Sequence, residues 1–121
     1  MKFPNFTIST LVSISCICLA AKEAQARTFI DPSLGDKFIA GCLGSFRFQD
    51  SCNQAARNLI AEKFCQYQGE KTFSQYQVED RGWKRRMKMW AWKEFYDNGQ
   101  LKTGFYEDVS SFRFTVIECR K

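Results

Sequence analysis

The chain has 121 residues, 26% of them charged, a formal net charge of +5, six cysteines and no histidine. That length supports one domain and is too short for two with separate cores. Without histidine the commonest general base is missing. With no Cys-x-x-Cys pair either, the usual zinc spacings are excluded, so no metal or other cofactor is expected.

The first 26 residues read as a secretory signal. Lys2 gives a positive start, and an apolar run from about Ile8 to Ala21 follows, broken by Ser and Thr. Lys22 and Glu23 end it, and Ala24-Gln25-Ala26 has the small-x-small form that signal peptidase accepts. The run is shorter than the roughly 20 apolar residues of a comfortable transmembrane helix. An uncleaved anchor is one alternative. A lipoprotein signal at Cys16 or Cys18 is another, but neither follows the usual Leu-Ala-Gly type of box. The expected organisation is a signal over 1–26 and one domain over 27–121, secreted or periplasmic. Removing Lys2, Lys22 and Glu23 takes the net charge from +5 to +4. That aids encounter with acidic polymers or membrane surfaces without marking a nucleic-acid binder.

Four cysteines remain, Cys42, Cys52, Cys65 and Cys119. An even number in a small exported chain implies two disulfides, each worth about 2–4 kcal/mol.

In chain order, Arg27–Gly41 carries Pro32, Gly35 and two Asp residues and reads as a lead-in with little regular structure. Its Phe38 and Ile39, with Leu43 beyond, are candidates for the core. A helix is predicted at about Ser51–Gln68. Ser51 stands as N-cap and Gln54 lies at the capping-box spacing. Ala56, Ile60, Phe64 and Tyr67 make its apolar stripe, and Gly69 stands where a left-handed residue ends a helix. Four strands are predicted after it: Thr72–Glu79, Arg86–Tyr96, Leu101–Tyr106 and Ser111–Cys119. Asp80-Arg81-Gly82 reads as a turn, Asp97-Asn98-Gly99 as a tight hairpin turn, and Glu107–Ser110 as another turn. The fold class is α+β, with one helix packed on a four-stranded antiparallel meander and stapled by disulfides. In the last strand Phe112, Phe114 and Val116 share one alternation phase while Ile117 and Cys119 share the other. That requires a bulge near Val116 or partial cover on both faces.

The helix limits the disulfide connectivity. Cys52 and Cys65 stand thirteen residues apart, roughly 20 Å along a helix, whereas bonded cysteines have Cα atoms within about 7 Å. Two arrangements survive. Cys42–Cys52 with Cys65–Cys119 is favoured, because it closes a short local loop and ties the helix end to the last strand. Cys42–Cys65 with Cys52–Cys119 is the other.

The helix end Ala61-x-x-Phe64-Cys65, then Gly69 and Phe73, then Phe114-x-x-Ile117-x-Cys119, resembles a loose group of small exported bacterial proteins of uncharacterised function. The resemblance covers most of 27–121 through few residues. It implies an α+β domain and the Cys65–Cys119 bond, and it brings no catalytic residues. Glu94–Lys102 is similar to one unit of MORN-type hairpin repeats, but a single copy has no neighbours to stack on.

The most unusual segment is Trp83-Lys-Arg-Arg-Met-Lys-Met-Trp-Ala-Trp-Lys93. Strand alternation puts Met87, Met89, Ala91 and Phe95 on one face, and Lys84, Arg86, Lys88, Trp90, Trp92 and Tyr96 on the other. With the Met face against the helix, Arg86, Lys88, Trp90 and Trp92 form an exposed basic-aromatic surface. Rings there stack on a ligand and cations pair with it. The partners it fits are an anionic polysaccharide, a membrane surface or another protein; export argues against nucleic acid. The competing reading makes the Trp residues part of the core. Two further function classes stand beside a binding module. A structural or inhibitor-like protein would present a disulfide-anchored loop around Gly44–Phe48. A carboxylate-based hydrolase would use Glu79–Asp80, Glu94 or Glu107–Asp108 in a concave site. No phosphate-binding Gly loop and no Gly-x-Ser-x-Gly elbow is present.

If the four cysteines of 27–121 are all bridged, thiol titration of the denatured exported protein without reductant will find none. Finding two or four thiols per chain would contradict the disulfide framework.

Overall fold

A computed structural model of the protein describes residues 26–45 and 51–121. The segment read as a signal therefore lies outside the described residues, apart from Ala26.

The elements are β1 (Arg27–Ile30), β2 (Ser33–Leu34), β3 (Lys37–Phe38), β4 (Gly44–Ser45), α1 (Gln54–Tyr67), β5 (Thr72–Asp80), a 3-10 turn at Trp83–Arg85, β6 (Met87–Asp97), β7 (Gln100–Ser110) and β8 (Phe112–Arg120). The chain is mixed α+β, with one helix among the described residues, mainly antiparallel sheet and two disulfides.

The helix starts later than the capping-box spacing suggests. Asn53 is the N-cap, and its Oδ1 accepts the Ala56 N–H at 2.9 Å. Ser51 lies in the turn before it. Asn ranks with Ser as a cap, so the two were equal on chemistry, and the Cys42–Cys52 bridge holds the chain at the preceding turn. The other end follows expectation. Gly69 has φ +88°, its N–H reaches the Gln66 carbonyl, and the Glu70 N–H reaches the Cys65 carbonyl. This pair of bonds is a Schellman ending, which needs the left-handed backbone that glycine supplies. Ala56, Ile60, Ala61, Phe64 and Cys65 are buried, whereas Tyr67 is exposed.

The meander is not the observed order. β6 and β7 pair over their whole length around Asn98-Gly99, as read from the sequence. β5, however, pairs with β8 rather than β6, and β8 does not neighbour β7. The region Glu107–Ser110, expected as a turn, completes β7, and only Ser111 separates β7 from β8. The chain makes this abrupt corner with help from Ser110, whose Oγ accepts the Phe112 N–H and donates to the Phe112 carbonyl.

The lead-in is structural. β1 pairs antiparallel with the end of β8. After the small β2–β3 hairpin, the chain returns beside β8 at Ala40, opposite Arg113, and lies parallel to β6 at Ile39, opposite Trp90. The Ala40 N–H donates to the Trp90 carbonyl, while the Gly41 N–H donates to the Phe112 carbonyl and the Phe114 N–H to the Ile39 carbonyl. Ile39–Gly41 thus sits between β6 and β8. The lateral order is β5, β8, the β1-to-Gly41 strand interrupted by its hairpin, β6, β7, with β4 continuing alongside β6. Gly41 is needed for the close approach. A Cβ there would lie 3.1 Å from Val78 Cγ1 and 3.3 Å from Phe112 Cβ.

The main core packs α1 against this sheet: Ile39, Leu43, Ile60, Phe64, Phe114 and Ile117, with the Cys65–Cys119 bridge. Burying a side chain of this size contributes roughly 1.5–3 kcal/mol. Of the two arrangements open for the last strand, a bulge near Val116 or partial cover of both faces, the bulge is present. Gln77 pairs with Val116 and Val78 with Phe114, leaving Thr115 as the extra residue. That shift brings Phe114, Ile117 and Cys119 into the same interior, each fully buried. Both bridges match the favoured arrangement, Cys42–Cys52 with Cα atoms 4.3 Å apart and Cys65–Cys119 at 5.5 Å.

Candidate functional site

β6 decides where the basic-aromatic residues point. Its unbroken register with β7 keeps Lys88, Trp90, Trp92 and Glu94 on one face and Met87, Met89, Ala91 and Lys93 on the other. The face that meets the helix is the opposite of the one expected. Trp90 and Trp92 are half-buried and pack against the core that contains Ile60 and Phe64. Met89 and Ala91 are buried in a separate small cluster with Ala40, Phe38 and Met87 on the far side. Alternation gives two faces but not which one is inside. The wedge at Ile39–Gly41 determines that, and its pairing was not readable.

Each Trp is anchored at its polar edge, as buried indoles require. The Trp90 indole N–H donates to the Leu34 carbonyl at 2.7 Å, and Lys37 Nζ stands 5.5 Å from the ring centre. The Trp92 indole N–H donates to Glu94 Oε2 at 3.1 Å, and Lys63 from α1 stands 5.5 Å from its ring. Phe105 meets Trp92 edge-on at 5.2 Å, and Tyr67 meets Phe105 edge-on at 6.2 Å. Between them lies a shallow groove of about 160 Å³ lined by Leu34, Tyr67, Trp90 and Phe105.

Arg86 and Lys88 are exposed, and Arg86 precedes the strand. The two Trp rings are thus half-buried against the core while Arg86 and Lys88 lie in solvent, so the four residues do not share the full exposure expected of them. Arg86 finds another aromatic. Its guanidinium lies 3.5 Å from the centre of the Trp83 ring, and its Nε–H donates to the Trp83 carbonyl at 2.9 Å. Trp83, 73% exposed, belongs to the 3-10 turn that the Asp80-Arg81-Gly82 corner throws clear of the sheet. Asp80 Oδ1 holds that corner by accepting the Gly82 N–H. With Lys84, Arg86 and Val109 the indole lines an open concavity of about 560 Å³. The sequence placed Trp83 in the unusual segment. The signal that separates it from Trp90 and Trp92 is the turn just before it, which takes it out of the strand's alternation.

Charge accentuates this end of the molecule. Five other basic groups are matched: Arg27 with Glu70, Lys37 with Glu107 and Asp36, Lys93 with Asp108, Lys102 with Asp97, and Arg113 with both Asp31 and Glu79. Among the described residues, Lys84, Arg85, Arg86 and Lys88 have no carboxylate within ion-pair distance.

The carboxylate pairs named from the sequence are engaged elsewhere. Glu79 accepts from Arg113, and Asp80 caps its turn. Adjacent strand residues also point to opposite faces, so Glu107 bonds Lys37 while Asp108 bonds Lys93. The Lys37 hydrogen bond holds Glu107 below the usual carboxylate range. Burial pushes Asp108 up, but Lys93 and the Val109 N–H outweigh it and leave it lowered. A glycosidase acid needs a raised carboxyl facing a second one, and these two are lowered and divergent. No group of three or more His, Cys, Asp or Glu side chains among the described residues is placed to hold a metal. The Gly44–Phe48 loop suggested for an inhibitor runs from Phe46 onward outside the described residues.

Because Trp90 and Trp92 pack under α1, Trp92→Ala is expected to lower unfolding free energy by about 3 kcal/mol in chemical denaturation, and Lys88→Ala to change it little. A Trp92→Ala protein as stable as the parent would return that ring to an open recognition surface.

Compared with known proteins, the chain matches no family model, and no curated protein or solved structure is significantly similar to it.

Proposed function

We propose that the chain is an exported, disulfide-stabilised, non-enzymatic binding module of the small bacterial kind it resembles, and that its ligand is an anionic polysaccharide. The observation that carries this reading is the stacked pair Trp83–Arg86 on the rim of the concavity, beside Lys84, Arg85 and Lys88, which make no ion pair among the described residues. The stacked guanidinium keeps one face and its terminal N–H groups for a sulfate or carboxylate, and the indole offers a flat apolar surface to a sugar ring. An exposed Trp among cations is also the composition that contact sites favour. Lys88 keeps the role read from the sequence, as does Arg86; Trp90 and Trp92 become the support beneath them, and Trp83 takes the aromatic role. The two bridges support work outside the cytoplasm, in a secreted or periplasmic setting.

The test is calorimetric binding of the exported protein to dextran sulfate and to a polyuronate, with neutral dextran and anionic-lipid vesicles as contrasts. Binding to the charged polymers is expected to weaken as salt rises. Trp83→Ala and Arg86→Ala should each weaken it about tenfold while leaving the melting temperature nearly unchanged. Equal affinity for neutral dextran, a preference for vesicles, or indifference to both substitutions would contradict the reading.

A further inference from the structure

The five-stranded arrangement has two lateral edges, and they differ. β5 carries an extra residue, Ser74, between Phe73 and Gln75, and faces the Thr115 bulge of β8 between Gln77 and Val78. Bulges of this kind twist an edge away from further pairing. β7 has eleven residues in unbroken register with β6, without proline and without a bulge. Among the described residues nothing pairs with its outer side.

The backbone of that edge is readable from the hairpin. Asp97 and Gln100 flank a two-residue turn and so form a hydrogen-bonded pair. Bonding alternates from there, so Leu101, Thr103, Phe105, Glu107 and Val109 turn their N–H and C=O groups outward. The Val109 N–H, for instance, is met by the side chain of its neighbour Asp108 at 2.8 Å.

We propose that this edge pairs antiparallel with the same edge of a second copy, about a two-fold axis centred on Phe105. In that register the outward-bonding residues face one another: Phe105 opposite Phe105, Thr103 opposite Glu107, Leu101 opposite Val109. Leu101 and Val109 are 54% and 53% exposed in the single chain, so the pairing covers two apolar side chains per copy. On the other face Lys102, which pairs with Asp97 in its own chain, falls opposite Asp108, which pairs with Lys93, so the pairing joins two intrachain ion pairs into one cluster of alternating sign, twice by symmetry. Gly104 falls opposite Tyr106, whose ring already leans over Gly104 within its own chain. Shifting the register by two residues in either direction breaks the match of Leu101 with Val109 and of Lys102 with Asp108. The self-complementary charge pattern selects a second copy over an unrelated strand.

Sedimentation equilibrium of the exported protein, without polysaccharide, is the test and stands apart from the ligand reading. A reversible monomer–dimer equilibrium is expected. Thr103→Pro removes one outward donor without touching the β6 ladder and should abolish the dimer. Lys102→Asp puts like charges opposite and should weaken it about tenfold or more. Adding Asp108→Lys to Lys102→Asp restores opposite charges and should restore association. A monomer at every concentration, a dimer indifferent to Lys102→Asp, or a double variant as weak as the single would overturn the proposal.

Discussion

Three hydrogen bonds carry the organisation of this domain. Ala40 to Trp90, Gly41 to Phe112 and Phe114 to Ile39 span 2.9–3.0 Å and join two three-stranded sheets through one short segment. Buried backbone groups must be paired, and Ile39, Ala40 and Gly41 are all buried. The segment therefore acts as a central strand, although it holds too few consecutive bridges to be one. It also explains the neighbouring disulfide. Cys42–Cys52 fixes the chain where it leaves the sheet and turns toward the start of α1.

The position of this wedge determines the site. Because Ile39 lies beside Trp90, β6 is held with its Trp face toward α1 and its Met face toward Phe38 and Ala40. The aromatic stretch that reads as a binding surface is thereby split. Trp90 and Trp92 pack half-buried against the core, tied by Leu34 and Glu94. Trp83, outside the strand, stays in solvent with Arg86 stacked on it. Electrostatics follows the same division. Along the sheet, cations and carboxylates neutralise each other in cross-strand pairs such as Arg113 with Glu79 and Lys93 with Asp108. At the corner before β6 and at its start, Lys84, Arg85, Arg86 and Lys88 have no such partner among the described residues.

Much of this was legible from residues alone because the signals are local. The helix with its Gly69 ending and the Asn98-Gly99 hairpin rest on neighbouring residues or on simple periodicity, which also narrowed β8 to a bulge or partial cover of both faces. Pairing of the cysteines was narrowed by helix length, a distance argument that needs no tertiary structure. What escaped was non-local. Ala40 beside Arg113 and β5 beside β8 are contacts between distant segments, and nothing in alternation ranks one sheet order above another. The cap moved from Ser51 to Asn53 because two residues of equal capping chemistry stood close together. Trp83 was visible as part of an unusual segment. The Asp80-Arg81-Gly82 turn separates it from Trp90 and Trp92; the exposure of those two depended on which face of β6 the helix covers.

Native-state hydrogen exchange at the amides of Ala40, Gly41 and Phe114 tests the wedge most directly. If the segment is the strand that joins the two halves, these amides open only with the whole domain. They should then exchange as slowly as those of Phe64 and Ile117 in the main core. Rapid exchange at Ala40 and Gly41, at the rate of exposed loop amides while Phe64 stays protected, would show that the segment does not hold the sheets together.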